Sequence, residues 1–424
     1  MMPIPGARDM FSLEPEVIQL NHGSYGAVPI EVQERQARLR TEMERAPDRF
    51  FARLPARLAR ARERVAAFLN TSGAAFVANT TEGITVALES VPLGVWDEIL
   101  YTDHVYAAVE RALRRRAGET GATLVKVKLG DDPVEALLGG VTARTRLAVF
   151  DHVSSSAARL LPVERLVKEL ATRDVVTLVD GAHAPGMLTV DLEAIGADFW
   201  VGNLHKWAFA PRPTAILHVA PHWRERVRPL IVSYGEGFPE AVEWQGTRDY
   251  TALLAAPYGL DMLERLGLER VRAHNVALAA YGQRVVAEAL HAADLCADAS
   301  AGDVPGVDGR CSASMRVDGP CSASMRVDGP CAADGRLEPA QVAGSCSQGS
   351  RGYPGVPMRM IRLASGLGGT KAQADALCQE VLDHLGCQIK IDPGGLLRLS
   401  AQIYNRTADY DHLADRLPAV LGRI

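Results

Sequence analysis

The chain has 424 residues with a formal net charge of −5 at pH 7, and 47% of them are hydrophobic. This length exceeds what one ordinary hydrophobic core accommodates, so we expect two domains. The acidic balance offers no attraction to nucleic acid or to an anionic membrane, and no apolar run is long enough to cross a bilayer. Seven cysteines in no evident framework, and an N-terminus unlike a secretory signal, favour a cytoplasmic protein.

The first clear helical pattern follows the glycine-rich segment IQLNHGSYGAVP. Leu54, Leu58, Ala61, Val65 and Phe68 recur at spacings of four, three, four and three residues. This period predicts an amphipathic helix that packs one stripe of side chains inward.

Short apolar runs alternate with helical stretches from about residue 75, and the helical stretches include residues 105–116 and 163–172. Seven runs are strand candidates: AAFVAN, EILYTD, TLVKVKL, RLAVFDH, VVTLVDG, ADFWVGN and TAILHV. Because the runs are apolar throughout and separated by helices, they predict a largely parallel sheet covered on both faces. Ligands of such sheets bind beyond the carboxyl ends of the strands. Polar residues at or just after these ends are Asn79, Asp103, Asp151, Asp180 and Asn203.

The sequence becomes more helical after about residue 250 and closes with strand-like MRMIRLA, CQIKI and LLRLSAQI around a helix at residues 371–385. This order predicts a smaller α+β domain. Within it, CSASMRVDGP occurs twice in tandem, at residues 311–320 and 321–330. A ten-residue period is too short for the usual solenoids, and Asp-Gly-Pro favours turns or disorder. The cysteines there lack CxxC spacing, so we expect an irregular or flexible insertion at 300–350 and no metal site.

Lys206 follows Asp180 by 26 residues, enough for a strand end, a crossover and the end of a second strand. A lysine that forms a Schiff base and a carboxylate that keeps a pyridine nitrogen protonated are the two groups that pyridoxal phosphate (PLP) needs. Apolar neighbours of Lys206 favour its neutral amine. Thr80 and Thr81 open a helix after a strand, where backbone N–H groups and hydroxyls suit a phosphate. The pattern predicts a PLP enzyme.

Seven segments together resemble the class V aminotransferase family of fold-type I PLP enzymes, and most closely its isopenicillin N epimerase-like branch, which includes C–S lyases and relatives of the cysteine desulfurases. They are LNHGSYGAVP, RFFARLP, NTTEGI, VDGAHAPG, GNLHKW, QGTRDYT and LRLSAQIYN. The resemblance implies an α/β fold, with a mostly parallel seven-stranded sheet in the large domain and a smaller α+β C-terminal domain. We expect an N-terminal segment at 1–30 that contributes to the active site, a PLP-binding domain at 31–250 and a small domain at 251–424.

The resemblance also implies roles for the cofactor residues. Lys206 is the expected Schiff-base lysine, Asp180 the partner of the pyridine nitrogen, and His183 a neighbour of the phenolic oxygen. The expected phosphate ligands are Thr80, Thr81, Asn203 and His205, with Thr247 from the neighbouring subunit of a homodimer. His104 or Tyr106 is expected to stack on the ring. We prefer Tyr106 because it directly precedes the helical Ala-Ala-Val.

For the substrate, the resemblance places Arg398 on the carboxylate of an amino acid, where a bidentate guanidinium suits the role. Asn21 and His22 are the other expected substrate-binding residues. Two departures from the family pattern, APRPTA after HKW and Ser155-Ser156 in place of a Ser-Pro turn, leave the substrate open.

The expected reaction begins at the α carbon of an amino acid, with epimerisation or racemisation first and C–S lysis, desulfuration or transamination as alternatives. A desulfurase needs a mobile catalytic thiol, and Cys378 and Cys387 read instead as buried structural cysteines in a helix and a strand. A catalytically inactive binding module is the non-enzyme alternative. The complete set of Lys206, Asp180, His205 and Thr80 argues against it.

Overall fold

The computed structural model describes residues 4–300, 350–351 and 355–423. The tandem repeat at 311–330 and most of the expected insertion lie outside the described residues. The strands are β1 Ile18–Gln19, β2 Ala74–Val77, β3 Glu98–Thr102, β4 Thr123–Val127, β5 Thr145–Asp151, β6 Val176–Asp180, β7 Phe199–Asn203, β8 Ala215–Val219, β9 Ser350–Arg351, β10 Met358–Arg362, β11 Cys387–Gln388, β12 Lys390–Asp392 and β13 Leu396–Ser400. The helices are α1 His22–Tyr25, α2 Ile30–Arg45, α3 Pro47–Phe68, α4 Thr80–Ser90, α5 Ala107–Thr120, α6 Pro133–Gly139, α7 Val163–Ala171, α8 Leu192–Ile195, α9 Glu240–Glu243, α10 Thr251–Leu266, α11 Leu268–Ser300, α12 Lys371–Leu385 and α13 Thr407–Leu421.

A seven-stranded sheet forms the centre of the large domain, in the order β2-β8-β7-β6-β5-β3-β4. Every pair from β7 to β4 is parallel, whereas β8 runs antiparallel to both of its neighbours. The predicted α/β fold with seven mostly parallel strands is confirmed. Strands β2, β3, β7 and β8 are buried along their whole length, which explains why their sequences are apolar throughout.

Helices cover this sheet as the periodicity predicts. In α3 the buried residues include Leu54, Leu58, Ala61 and Val65, while Phe68 at the helix end stays half-buried. Helix α5 begins two residues later than expected. Its N-cap, Tyr106, has extended backbone angles, so the segment from the end of β3 to Tyr106 is a loop at the carboxyl edge of the sheet.

A second core lies around the antiparallel sheet β12-β13-β10-β9 and the helices α11, α12 and α13. Leu20 of the N-terminal segment is part of this core, and β1 pairs in parallel with β11. The N-terminal segment therefore joins the C-terminal part of the chain. Helix α10 packs on α2 and α3, and its leucines join the core of the large sheet. The border at residue 250 stays a prediction.

Among the described residues, no helix combines the length and apolar character that a membrane span requires.

The buried stripe of α3 generates a stability prediction. Leu58 is 3% exposed, and we expect Leu58→Ala to lower the free energy of unfolding by about 2–5 kcal/mol, because it removes apolar contacts and leaves a cavity. Arg60→Ala on the exposed side of the same helix is the matched control, with an expected change within about 0.5 kcal/mol. Urea unfolding monitored by circular dichroism measures both. Equal effects of the two substitutions would contradict the assigned stripe.

Candidate active site

The carboxyl edge of the large sheet gathers the charged side chains that the sequence singles out. Asp180 ends β6, and Lys206 follows the end of β7, the neighbouring strand. Arg398 comes from β13 of the small domain. Lys206 interacts electrostatically with both Asp180 and Arg398, so the structure brings these three predicted residues into one site.

Lys206 has a strongly perturbed amine. Its side chain keeps partial access to solvent, yet burial, and next the charge of Arg398, lower its pKa to about 7. Asp180 and Asp151 act in the opposite direction and do not offset the burial. A large fraction of Lys206 is therefore uncharged near neutral pH, as imine formation and proton abstraction require.

His183 lies directly beside this amine. Its Nε2 is 3.3 Å from Lys206 Nζ, and its Nδ1 accepts a hydrogen bond from Trp207 Nε1 at 3.4 Å. Burial lowers the pKa of His183 well below its ordinary value, and the positive charges of Lys206 and Arg398 act in the same direction. His183 is therefore a neutral imidazole.

Asp180 has a carboxylate neighbour, Asp151, at the end of the adjacent strand β5. Asp151 is its register partner on the adjacent parallel strand, so both side chains lie on the same face of the sheet. Burial, and next the charge of Asp180, raise the pKa of Asp151 well above its ordinary value. Burial also raises the pKa of Asp180, while a hydrogen bond from Ala182 N–H at 2.9 Å and the charge of Lys206 oppose the shift. Burial thus raises the pKa of both carboxyl groups, and the Ala182 N–H favours the ionised form of Asp180.

The N-terminus of α4 has the form of an anion site. The Thr80 N–H donates to Asn203 Oδ1 at 2.9 Å, which joins the end of β7 to the start of the helix. The Thr80 hydroxyl is buried without a hydrogen-bond partner in the described part of the chain, and Thr81 is exposed. His205 Nδ1 lies 2.8 Å from Thr214 O, and burial lowers the pKa of His205 to about 4.

Arg398 is 3% exposed, and its guanidinium is held by neutral oxygens. Nη1 donates to the carbonyl and hydroxyl of Ser155 at 3.0 and 2.9 Å, while Nη2 donates to Asn21 Oδ1 at 3.2 Å and Ser24 Oγ at 2.7 Å. Among the described residues no carboxylate lies within 4 Å of it. Asp392 stabilises the charge only from beyond this distance, and a buried cation without direct contact to an anion is costly, so this position suits an anionic ligand.

The N-terminal segment holds the main chain of Lys206. His22 Nε2 lies 2.9 Å from Lys206 O, and His22 Nδ1 lies 2.9 Å from the Tyr404 hydroxyl. Gly26 has φ +71°, and a Cβ there would lie 2.0 Å from His205 O, so only glycine allows this approach. Both ring nitrogens of His22 have protein partners. Its expected contact with substrate stays a prediction.

The remaining predicted residues lie in different surroundings. Tyr106 is 51% exposed and interacts electrostatically with Arg398, so it faces the site from the loop before α5. His104 is half-buried, and its Nδ1 has no hydrogen-bond partner among the described residues. Thr247 is exposed on the loop between α9 and α10. Which of His104 and Tyr106 stacks on the ring stays open.

The two cysteines considered for desulfuration are shielded. Cys387 is buried, its Sγ donates to Leu385 O at 3.5 Å, and burial raises its pKa to about 12. Cys378 Sγ accepts from Ile391 N–H at 3.2 Å, and burial raises its pKa as well. Neither thiol has the exposure or the low pKa of a reactive nucleophile.

The model of the family described as aminotransferase class V matches residues 28–298 of this chain. The chain belongs to the class V aminotransferase family. Isopenicillin N epimerases from Streptomyces clavuligerus and Amycolatopsis lactamdurans are 34% and 36% identical to this class V enzyme, over 66% and 65% of its length and 78% and 76% of theirs. A putative L-cysteine desulfhydrase from Oryza sativa subsp. japonica is 32% identical over 62% of this chain and 61% of the relative.

Solved structures share the fold of this class V enzyme at low sequence identity. The cysteine desulfurase CsdA from Escherichia coli superposes with a TM-score of 0.72 at 18% identity, covering 98% of each chain. The cystine C–S lyase C-DES, in complex with cysteine persulfide, gives 0.73 at 17% identity and covers 95% of this chain and 98% of its own. These similarities confirm fold type I, and C-DES has also been solved with a PLP cofactor.

Pyridoxal phosphate is the cofactor of the family, and the residues present fit it. Of the buried polar atoms without a hydrogen-bond partner in the described part of the chain, three belong to residues predicted for the site or to Asp151: Thr80 Oγ1 at the start of α4, Asp151 Oδ2 beside Asp180, and Arg398 Nε. Buried polar groups without partners call for an explanation. A phosphate, a polar ring and a carboxylate are groups that these three atoms can bind.

The shielded thiols give a second prediction. In the native full chain at pH 8, we expect iodoacetamide to modify Cys378 and Cys387 at least about tenfold more slowly than in the guanidinium-unfolded chain, because their raised pKa values deplete the thiolate. Peptide mass spectrometry over a time course gives each rate. Modification rates in the native chain equal to those in the unfolded chain would show that these thiols are reactive and would contradict their assignment as shielded cysteines.

Proposed function

We propose that this class V enzyme removes the α proton of an amino acid with Lys206 and returns it with epimerisation or racemisation. The observation that carries the proposal is the juxtaposition of an amine that titrates near neutral pH with Arg398, a buried guanidinium that no carboxylate of the described residues contacts directly. An amino-acid substrate supplies what each group needs. Its carboxylate pairs with the guanidinium, and its α hydrogen is then presented to the amine.

The cofactor is assigned to the residues around Lys206. Asp180 pairs with the ring nitrogen, and its ionised state is favoured by Ala182 N–H and by Lys206. His183 lies near the phenolic oxygen. The phosphate is assigned to the N-terminus of α4 and the turn after β7, through Thr80, Thr81, Asn203 and His205. When bound, PLP supplies a ring that withdraws electrons from the α carbon.

The substrate carboxylate is assigned to Arg398. Ser155, Asn21 and Ser24 accept from both Nη groups and fix the plane of the guanidinium, which leaves Nε–H as its donor without an acceptor among the described residues. Asn21 thus reaches the substrate site through Arg398. His22 acts one step further back, through the main chain of Lys206.

We assign the active unit to a homodimer. Thr247 is exposed, and its loop is fixed from within the subunit because Gln245 pairs with Glu82 of α4 and Arg248 donates to Gln245 Oε1 at 2.9 Å. A surface loop held at both the phosphate helix and α10 is suited to contact a second copy. Its assigned role is to bring Thr247 to the partner's phosphate.

Epimerisation needs a proton donor on the face of the substrate opposite Lys206. Tyr106 interacts with Arg398 and carries a phenol, which makes it the candidate donor. The two isopenicillin N epimerases, at 34% and 36% identity, support this reaction.

The second candidate is elimination from a cysteine or a cysteine conjugate, which the similarity to desulfhydrases supports. Elimination uses the same α-proton removal and then needs a leaving group at Cβ.

The test is a screen of amino acids and cysteine conjugates in deuterium oxide with PLP-loaded enzyme. We expect deuterium at the α carbon with inversion, measured by mass spectrometry and chiral chromatography. Lys206→Ala should lower exchange by roughly 10²–10⁴-fold, since it removes the general base. Lys128→Ala, an exposed lysine beyond β4, is the control and should retain full exchange. Keto acid and ammonia without inversion would support elimination, and no exchange with any substrate would overturn the proposal.

The carboxylate site makes a separate prediction. We expect Arg398→Gln to raise KM about 10- to 100-fold with a smaller change in kcat, because it removes charge-assisted hydrogen bonds that the substrate makes before the reaction. Arg362→Gln, an exposed arginine of β10 in the same sheet, is the matched control. Steady-state kinetics on the substrate found above measures both. An unchanged KM in Arg398→Gln would contradict the assignment of the substrate carboxylate to Arg398.

A further inference from the structure

Trp207, His183 and Lys206 form a chain of polar contacts that the reaction above leaves unexplained. Trp207 Nε1 is 3.4 Å from His183 Nδ1, and His183 Nε2 is 3.3 Å from Lys206 Nζ. Trp207 is 2% exposed and His183 1% exposed, so water is excluded from the contact between them, while Lys206 is partly exposed. The order of donors and acceptors along this chain is therefore constrained by the protein.

Elementary hydrogen-bond chemistry gives that order. An indole N–H only donates, so the nitrogen of His183 that faces it must accept. A neutral imidazole with an accepting Nδ1 carries its proton on Nε2. That Nε2–H points to Lys206 Nζ, which must accept through a lone pair. An ammonium group has no lone pair, so the arrangement is compatible only with the neutral amine.

The other charged groups near these side chains do not by themselves determine that Lys206 is a neutral amine. Arg398 repels a protonated Lys206, while Asp180 and Asp151 favour one. His183 faces Lys206 and Arg398, and both disfavour an imidazolium. The electrostatic influences on the amine thus oppose one another. The direction of the His183 hydrogen bond adds a contribution that depends on Trp207.

We propose that Trp207 is a positioning residue: its indole N–H holds His183 in the Nε2–H tautomer, which keeps Lys206 as a neutral amine. The functional consequence of this inference rests on the proposed function, in which a neutral Lys206 attacks the cofactor aldehyde and takes the α proton. The tautomer itself is a property of the protein alone. It is therefore testable without cofactor or substrate.

The experiment measures the acetylation of Lys206 by acetic anhydride as a function of pH, in the full chain stripped of PLP, by peptide mass spectrometry. The wild-type midpoint is expected near pH 7. Trp207→Phe keeps the ring but removes the N–H, so His183 is free to accept from the ammonium. We expect its midpoint to rise by about one pH unit, the size of one net hydrogen bond.

Two variants serve as controls. Trp200→Phe removes a matched buried contact, Trp200 Nε1 to His152 Nδ1 at 3.4 Å, and should leave the midpoint unchanged. His183→Gln should also keep it near the wild-type value, because the amide oxygen accepts from Trp207 and the amide N–H donates to Lys206. A Trp207→Phe midpoint equal to the wild-type one, in a chain shown to be folded by circular dichroism, overturns the proposal.

Nitrogen-15 NMR of histidine-labelled wild-type protein provides a measurement independent of any Trp207 variant. We expect the His183 signals, assigned by their loss in His183→Gln, to show the Nε2–H tautomer. The Nδ1–H tautomer would overturn the inference even if Trp207→Phe failed to fold. Neither measurement uses PLP or an amino acid, so failure of the deuterium exchange screen leaves them readable, and their failure leaves that screen unaffected.

Discussion

The rest of the site depends on one constraint, the burial of the Lys206 amine. A lysine in the interior is stable as the neutral form, and burial is the largest cause of its lowered pKa. The surrounding charges then shift the equilibrium between the neutral amine and the ammonium form of Lys206. Arg398 disfavours the ammonium, while Asp180 and Asp151 restore part of its stability. The amine therefore titrates near neutral pH, where a base and nucleophile is most useful.

Three distant parts of the sequence hold that amine in place. The seven-stranded sheet brings Lys206 and Asp180 together because β6 and β7 are parallel neighbours. The N-terminal segment closes over the Lys206 main chain through His22 and the close approach of Gly26 to His205 O. The small domain contributes Arg398, which is fixed by Asn21 and Ser24 of the same N-terminal segment. Separating the two cores would thus break the carboxylate site as well as the lysine support.

Much of this was accessible from the sequence. Seven apolar runs predicted seven strands, and polar residues at the strand ends predicted the edge where Lys206 and Asp180 meet. What the pattern does not contain is register and side-chain direction. The pairing of Asp151 with Asp180 is visible only once β5 and β6 are aligned, and β8, which runs antiparallel to both of its neighbours, is as fully buried as the parallel strand β7. The Trp207 to His183 contact depends on rotamers, which no spacing rule encodes.

The charge balance of the site supports the anionic ligand that we propose for it. Arg398 carries a permanent charge, Lys206 titrates near neutral pH, and burial raises the pKa of both Asp180 and Asp151. The guanidinium is nevertheless held by uncharged oxygens of Ser155, Asn21 and Ser24, so Asp180 does not neutralise it by direct contact. A protein that only needed stability would place a carboxylate there or exchange the arginine for an apolar residue. Arg398 is thus a buried cation that Asp392 stabilises only at longer range, and burying it costs folding free energy that the carboxylate we propose as its ligand would offset.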